Sequence, residues 1–397
     1  MLRYMTAGES HGQALVAIVE GIPAGLRVRR DFIQMRITAR QAGYGRGGRM
    51  KIEQDTPSFL SGVRNGITLG SPVSVLISNR DWENWQKVMA PFNVDEAAVQ
   101  ARSISRPRPG HADLAGALKY GHSDIRNILE RASARETAVK TAIGAIAEQL
   151  LLEFEIEIAA HVIRIGKVCA DTSSIARKQL LKNSEMSPVR CADPAAAGKM
   201  MKEIDAAAAA RDTLGGKVEV VAYNIPVGLG SHVQHDRRLG VRLAAAVMGV
   251  PAIKAVEIGE GVRLAELRGS EAHDEIFHSR RKGMRSAGFY RKTNRAGGIE
   301  GGISNGENII LKATMKPIPT LGRPLRSVDL LTRKPAKAAV ERSDICAVPA
   351  ASIIARAAVA LELASAMIEK FGGDSIAEMK RNFTAYLRAL RSFGGNA

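Results

Sequence analysis

The sequence predicts a mixed α/β chain, and three observations carry that expectation. Residues 156–165 and 217–225 alternate in the period-2 pattern of half-buried strands, and 14–20 is a short apolar run ended by glycine and proline. Long alanine- and leucine-rich stretches with helical spacing occupy 137–152 and 351–371. Glycine and proline punctuate the boundaries between them. The 397 residues are 45% hydrophobic and 24% charged, a globular composition with chain enough for a large core. Aromatics make up only 4%, so the core is expected to be aliphatic and alanine-rich. Length alone allows two or three domains or one large domain of mixed type.

Formal net charge is +17 and the pI about 10. Either a nucleic-acid or anionic-membrane surface explains this, or a deep site for anionic small molecules with excess lysine elsewhere. No RRM, KH, zinc-finger or helix-turn-helix signature is present. Cys169, Cys191 and Cys346 are odd in number and far apart, in no CxxC spacing. Disulfides and a cysteine-based zinc site are therefore not expected, as in a reducing cytoplasm. Arg3, Glu9 and His11 come too early for a signal peptide, and no apolar run is expected to reach the ~20 residues that span a bilayer.

In order along the chain, residues 2–6 read as a strand running into Gly8-Glu9-Ser10-His11-Gly12, and 14–20 as a second strand ended by Gly21, Pro23 and Gly25. Ser10 and His11 thus sit in a glycine-flanked turn, where a scaffold can hold a side chain at a cleft. The competing reading, commoner for a lone histidine, is a ring that only caps the turn. Asp31 is a suitable N-cap for a helix through Ala42, with Gly43 at C′. On that helix Arg36 and Arg40 share a face. Arg40 leads into Gln41-Ala42-Gly43-Tyr44-Gly45-Arg46-Gly47-Gly48-Arg49-Met50, where arginines alternate with glycines and no acid intervenes. Guanidinium forks pair with phosphate or carboxylate oxygens, and glycine brings backbone N–H groups close. The stretch reads either as a loop around a small, multiply charged anion or as a mobile basic surface loop.

Residues 60–77, broken by Gly62, Gly66 and Gly70, suggest a hairpin or meander. The polar stretch 79–85 holds both tryptophans, Trp82 and Trp85, and reads as a lid or a subunit contact. In Arg106-Pro107-Arg108-Pro109-Gly110-His111-Ala112-Asp113 two prolines stiffen a backbone from which two arginines and a histidine project. That is a setting for proton transfer beside an anion; the alternative is a rigid connector with solvated arginines. Ser133-x-x-Glu136 reads as a capping box for a helix over 137–152, whose N-terminus, flanked by Arg131 and Arg135, would attract phosphate.

Asp193-Pro194 opens a helix that runs through an alanine tract to Arg211. His232 and His235 precede a helix over 237–248 without the carboxylates or cysteines that would complete a metal site. Residues 280–295 are basic and include Phe289 and Tyr290, the best nucleic-acid candidate in the chain. The glycine-rich run that follows, 297–306, reads as close backbone approach to a ligand. A strand over 309–315 ends in Lys316-Pro317-Ile318-Pro319-Thr320. Glu341-Arg342-Ser343-Asp344 is the last chemical cluster, before the apolar helix 351–371 and a terminal helix opened by Asp374, Ser375 and Glu378 and running through Phe393.

Seven stretches resemble the chorismate synthase family. They are 8–12, 43–47, 106–113, 130–137, 298–302, 316–320 and 342–344, and they occur in the family's order from residue 3 to about 390. Ile345 and Pro251 depart from the family pattern, the latter leaving a flavin contact there to the backbone. The resemblance implies conversion of 5-enolpyruvylshikimate 3-phosphate to chorismate and phosphate, an anti-1,4-elimination without net redox change that requires reduced FMN. It implies substrate contacts at Ser10, Arg40, Arg46, Arg49, Arg108, Arg135 and Arg342. His11 would be the general acid at the leaving phosphate, and His111 would maintain the protonation state of the flavin. Asp344 would assist removal of the C6 proton by way of flavin N5. FMN contacts would fall at Arg131, Ala132, Ser133, Pro251, Ala252, Gly301, Lys316, Pro317, Ile318, Pro319, Thr320 and Arg342. Some members also bind NADPH, which would label Arg40 and Arg46 as cofactor residues; they are read here as substrate arginines. The implied fold is a single α/β (α+β) domain over 1–397, with helices sandwiched between antiparallel sheets. The implied protein is a cytoplasmic homotetramer served by a separate flavin reductase, binding no metal, nucleic acid or membrane. Two rivals stay open: a nucleic-acid-binding protein, and a conventional flavin oxidoreductase with net electron transfer.

Overall fold

A computed structural model describes residues 2–47, 55–279, 285–341 and 343–393. Short elements aside, the chain forms β1 (Arg3–Ala7), β2 (Ala14–Glu20), α1 (Arg30–Gln41), β3 (Pro57–Ser61), β4 (Val73–Ser78), α2 (Asp113–Tyr120), α3 (Arg126–Ala132), α4 (Thr137–Leu152), β5 (Glu157–Ile165) and β6 (Val168–Cys169). It continues through α5 (Pro194–Ala209), β7 (Gly216–Tyr223), α6 (Leu239–Met248), β8 (Ile253–Ile258), β9 (Ile309–Met315), α7 (Val348–Phe371) and α8 (Ile376–Arg391).

Two antiparallel sheets result, one in the order β1-β2-β4-β3 and one in the order β8-β9-β7-β5-β6. Alternation decides which face each buries. In the first sheet Leu15, Ala17 and Val19 pair with Ile77, Val75 and Val73, all buried, while Ile18 between them is exposed. In the second, Ile309, Leu311 and Ala313 lie beside Ala222, Val220 and Val218, which in turn lie beside Ile158, Ala160 and Val162. Helix α4 packs on the first sheet through β2 and β4, helix α7 packs on the second through β5 and β7, and the two helices pack on each other. The helices are thus sandwiched between antiparallel sheets, as the resemblance implied. One hydrophobic cluster runs through both sheets and both helices.

Helix α4 is buried all round from Thr137 to Leu151, which accounts for an apolar stretch with no polar face. Its closeness to α7 rests on Gly144, where an added Cβ would lie 2.4 Å from the Ala357 Cβ and 2.7 Å from the Ala357 Cα. Gly144→Ala therefore forces two core helices apart and is expected to destabilise by about 1–3 kcal/mol. A lowered urea midpoint with unchanged slope would register this; an unchanged midpoint would mean that the crossing yields without strain.

Several local expectations are corrected. The N-cap of α1 is Arg29 without a side-chain cap, and Asp31 lies inside the first turn. The Arg29 N–H instead donates to Gln149 Oε1 at 2.7 Å, so a tertiary partner replaces the local cap. Ser133 and Glu136 form no capping box on α4. A 3₁₀ turn over Ala134–Glu136 intervenes, Ser133 Oγ accepts from the Arg135 N–H at 3.3 Å, and Glu136 accepts from Thr6 Oγ1. Helix α5 stops at Ala209, and α7 begins at Val348, ahead of the expected 351. Val348–Phe371 is long and apolar enough to cross a membrane, contrary to the expectation for the chain. It lies almost wholly inside the protein, however, and carries buried Arg356.

Beneath the site, Glu148 of α4 accepts from Arg36 Nε of α1 and Arg356 Nε of α7, each at 3.0 Å. This buried bridge orients the face of α1 that also carries Arg40.

Candidate active site

Seven stretches from distant parts of the chain meet around one cleft of ≈ 500 Å³, a size within the ordinary range of small-molecule sites. The β1–β2 turn brings Ser10 and His11, and the end of α1 brings Arg40 and, beyond it, Arg46. The stiff 106–113 segment brings Arg108 and His111, and the α3–α4 junction brings Ala132, Ser133 and Arg135. The start of β8 adds Pro251 and Ala252, the segment after β9 adds Lys316, Ile318, Pro319 and Thr320, and the approach to α7 adds Asp344. Helices α4 and α7 both open at the cleft, through Thr137 and Ala347, so two long helices direct their N-terminal partial charge toward it.

Among the described lining residues Arg40, Arg46, Arg108, Arg135 and Lys316 face only two carboxylates, Glu341 and Asp344. The cationic groups are held from behind. Arg40 Nε donates to Thr137 Oγ1 and its Nη2 to the Ala134 carbonyl, both at 2.9 Å. Arg135 Nη1 donates to both oxygens of buried Asp55 at 2.6 Å, and Arg40 Nη1 lies 3.8 Å from the same carboxylate. Asp55 so anchors two arginines whose mutual repulsion would otherwise splay them.

His11 is enclosed. Its Nδ1 lies 2.8 and 3.0 Å from the two Glu130 carboxylate oxygens, and its backbone N–H donates to Glu130 Oε2 at 2.7 Å. Its ring stacks on Trp85, centroids 3.8 Å apart; the stretch read as a lid or subunit contact thus covers a histidine. Arg126 Nη1 also donates to Glu130, at 3.1 Å. Burial pushes the Glu130 carboxyl up, but its hydrogen bonds and charge contact with His11, and the charge of Arg126, outweigh burial and hold it below the usual carboxylate value. Ser133 Oγ lies 3.2 Å from Ser10 Oγ.

His111 has a parallel arrangement. Its Nδ1 lies 2.5 Å from Oδ1 of Asp113, which is fully buried at the start of α2. Arg108 donates to Asp113 from Nε at 2.8 Å, Nη2 at 3.1 Å and its backbone N–H at 3.0 Å, and from Nη1 to Thr320 Oγ1 at 2.8 Å. Burial opposes the Asp113 charge, yet the bonds from His111 and Arg108 hold its carboxyl well below the usual range.

Asp344 accepts from Arg46 Nη1 at 2.5 Å and from the Gly47 N–H at 2.7 Å. Glycine is required at 47 because a Cβ there would lie 2.7 Å from the Ser343 carbonyl oxygen. Lys316 Nζ donates to the Gly110 carbonyl, and burial followed by nearby Lys254 lowers its pKa. Ala252 adopts φ 67°, a left-handed conformation that costs a residue other than glycine about 1–2 kcal/mol, while its carbonyl accepts from the Lys316 N–H at 3.0 Å. Burial pushes the nearby Cys346 thiol up to about 11, away from the thiolate form.

Three expected contacts fall outside the cleft wall. Arg131 turns to Thr6 and the Gly8 carbonyl. Pro317 is not among the lining residues, and Gly301 sits in the turn between the short strands Ile299–Glu300 and Ile303–Ser304. Arg49 and Arg342 lie outside the described residues. Of the basic run 280–295, Arg285 binds the Phe154 and Asn224 carbonyls and Arg291 pairs with Glu300, so both are engaged within the protein. Among the described residues no cluster of three His, Cys, Asp or Glu is placed to hold a metal ion.

The residues to which the sequence patterns assign no individual role are the supporting carboxylates and their partner: Asp55, Asp113, Arg126 and Glu130. Only the Arg126–Glu130 spacing of four on one helix carries a local signal for any of them.

The family model "Chorismate synthase" matches residues 2–368. Chorismate synthase of Geobacter sulfurreducens is 55% identical over 395 residues, covering 99% of this chain and 100% of that protein. Those of Desulforudis audaxviator and Moorella thermoacetica are each 56% identical, over 99% and 98% of this chain and 99% and 100% of theirs. A crystal structure of chorismate synthase superposes with a TM-score of 0.79 at 39% identity, covering 99% of each chain. The chain belongs to the chorismate synthase family, lyases that eliminate phosphate from 5-enolpyruvylshikimate 3-phosphate to give chorismate.

Proposed function

We propose that this elimination takes place in the cleft described above, with reduced FMN bound beside the substrate. The observation that carries the reading is the convergence, in one cleft, of four arginines and two histidines whose rings each meet a buried carboxylate. Substrate and flavin together bring two phosphates and two carboxylates, which a preorganised set of cations can hold. Substrate would be held by Ser10, Arg40, Arg46, Arg108 and Arg135, joined by Arg49 and Arg342.

The donor set also fits a phosphate-bearing planar group. Val250, Pro251, Ala252, Met315, Ile318 and Pro319 supply apolar lining to the same cleft, suited to the flavin ring, while Lys316 and the Ala132–Ser133 turn offer polar contacts. Bound reduced FMN supplies electron density as the phosphate leaves, with no net oxidation. His11 gives a proton to the leaving phosphate, His111 holds a proton beside the flavin, and Asp344 takes part in moving the C6 proton. We read the chain as one domain, which the shared hydrophobic cluster supports. A cytoplasmic homotetramer served by a separate flavin reductase completes the proposal, with NADPH as the reductant where the flavin is reduced in place.

Phosphate release from the pure protein tests it, with and without photoreduced FMN and with and without 5-enolpyruvylshikimate 3-phosphate. Release is expected only when both are present, with flavin not consumed. Stoichiometric, substrate-dependent flavin oxidation would instead mean an oxidoreductase, and a salt-dependent gel shift without phosphate release would mean a nucleic-acid binder.

A further inference from the structure

Both cleft histidines turn the same ring nitrogen to a buried carboxylate. We propose that Glu130 and Asp113 are positioning residues that lock His11 and His111 in the Nδ1–H tautomer, so that each ring can exchange a proton with the reacting groups only at Nε2. The proposal deepens the functional reading above and rests on it for its catalytic consequence.

Charge and geometry fix the tautomer. An unprotonated Nδ1 on His11 would set its lone pair against two oxygens of Glu130 at 2.8 and 3.0 Å. Glu130 is held ionised by Arg126 as well as by His11, so the proton on that axis belongs to the imidazole nitrogen. The same carboxylate binds the His11 backbone N–H, which ties ring and main chain to a single group. Trp85 then closes one ring face, and Arg102 and Arg126 lie over Trp85 with guanidinium carbons 4.2 and 5.1 Å from its centroid. The ring is left little freedom to flip.

At His111 two groups compete for Nδ1, Asp113 Oδ1 at 2.5 Å and Arg108 Nη2 at 3.1 Å. A guanidinium only donates, so it would require an unprotonated Nδ1. Such a nitrogen would face the Asp113 carboxylate at the shorter distance. Arg108 already gives Asp113 three hydrogen bonds, which keeps that carboxylate charged and in place. Nδ1 therefore carries the proton and donates it to Asp113. In both rings Nε2 remains, an acceptor when the imidazole is neutral and a donor when it is charged. A general acid and a group that holds a proton by turns both need that arrangement.

The test is ¹⁵N NMR of the histidine rings in the full-length, ligand-free protein, with His11→Asn and His111→Asn used for assignment. At a pH where the rings are neutral, both should show a protonated Nδ1 and a bare Nε2. An Nε2–H tautomer at either site overturns the lock there. Neither substrate nor flavin is needed, so correct tautomers without phosphate release would remove the functional reading and leave the lock standing.

Kinetics supply the second arm. Glu130→Gln and Asp113→Asn should each lower kcat by about 10²-fold or more, with KM changed only a few-fold. Neither should cost anything further in a His11→Ala or His111→Ala background, respectively. An equal loss in the alanine background would mean that the carboxylate serves the fold alone and would overturn its positioning role. Should a variant not fold, the wild-type spectrum still decides.

Discussion

His111→Ala is expected to lose about 10²–10⁴-fold in turnover while substrate and flavin still bind. The ring lies at the cleft surface on a segment fixed by Pro107 and Pro109. Its removal leaves Asp113 bonded three times to Arg108, so no buried charge is orphaned and the fold should tolerate the change. Arg108 keeps Thr320 as a second partner, and the cationic wall that binds substrate stays in position. The loss should therefore fall on kcat with little on KM, the pattern of an interaction made only on the way to the transition state. Steady-state phosphate release together with calorimetric titration of each ligand separates the two effects. Unchanged turnover would remove His111 from the mechanism, and a loss confined to binding would make it a ligand contact.

The sequence disclosed what its local patterns encode. The second strand runs from Ala14 to Glu20, the apolar run that Gly21 and Pro23 close, and Asp193 caps α5 by accepting from the Ala195 and Ala196 N–H groups ahead of Pro194 at the helix start. The stretches 8–12, 43–47, 106–113 and 316–320 reach the cleft because turns that hold chemical groups need glycine or proline locally, whereas the glycine-rich run 297–306 supplies none of the cleft's lining. The partners were not legible. Glu130 stands 119 positions from His11 and Asp55 stands 80 from Arg135, and no periodicity links such pairs. For the same reason Asp344 reads, in the sequence, as the only acid among the arginines. Asp55, Asp113 and Glu130 are all buried at or behind the cleft, and they explain how so many cations can be held in one place before any anion arrives. Capping failed for a related reason. Asp31 and the Ser133–Glu136 pair satisfy a local rule, but Gln149 and Thr6, brought by the tertiary fold, take the groups concerned.

Asp344→Asn is expected to slow chorismate formation by about 10²-fold or more, and the structure sharpens what that result would mean. Besides any part in proton transfer, Asp344 clamps Arg46 and the Gly47 N–H at the mouth of the arginine–glycine loop. Sequence proximity points to Arg342 as the partner of the carboxylate; the fold supplies Arg46 as a direct partner. If clamping were the whole role, the amide would still accept from Gly47 through its oxygen and would lose only the charged pair with Arg46. Both members of that pair are mostly buried, with 11% and 18% of their side chains exposed, so the change would fall on affinity and would exceed the about 0.2–1 kcal/mol typical of an exposed surface pair. If the carboxylate also handles the C6 proton, the nearly isosteric amide cannot take the proton, and the rate falls as well. Single-turnover kinetics with prereduced FMN and substrate deuterated at C6 distinguish the two. Slow formation with a larger isotope effect than wild type is the expected outcome, since proton removal becomes more nearly rate-limiting. A wild-type rate with weakened substrate binding would leave Asp344 as the anchor of Arg46 and nothing more.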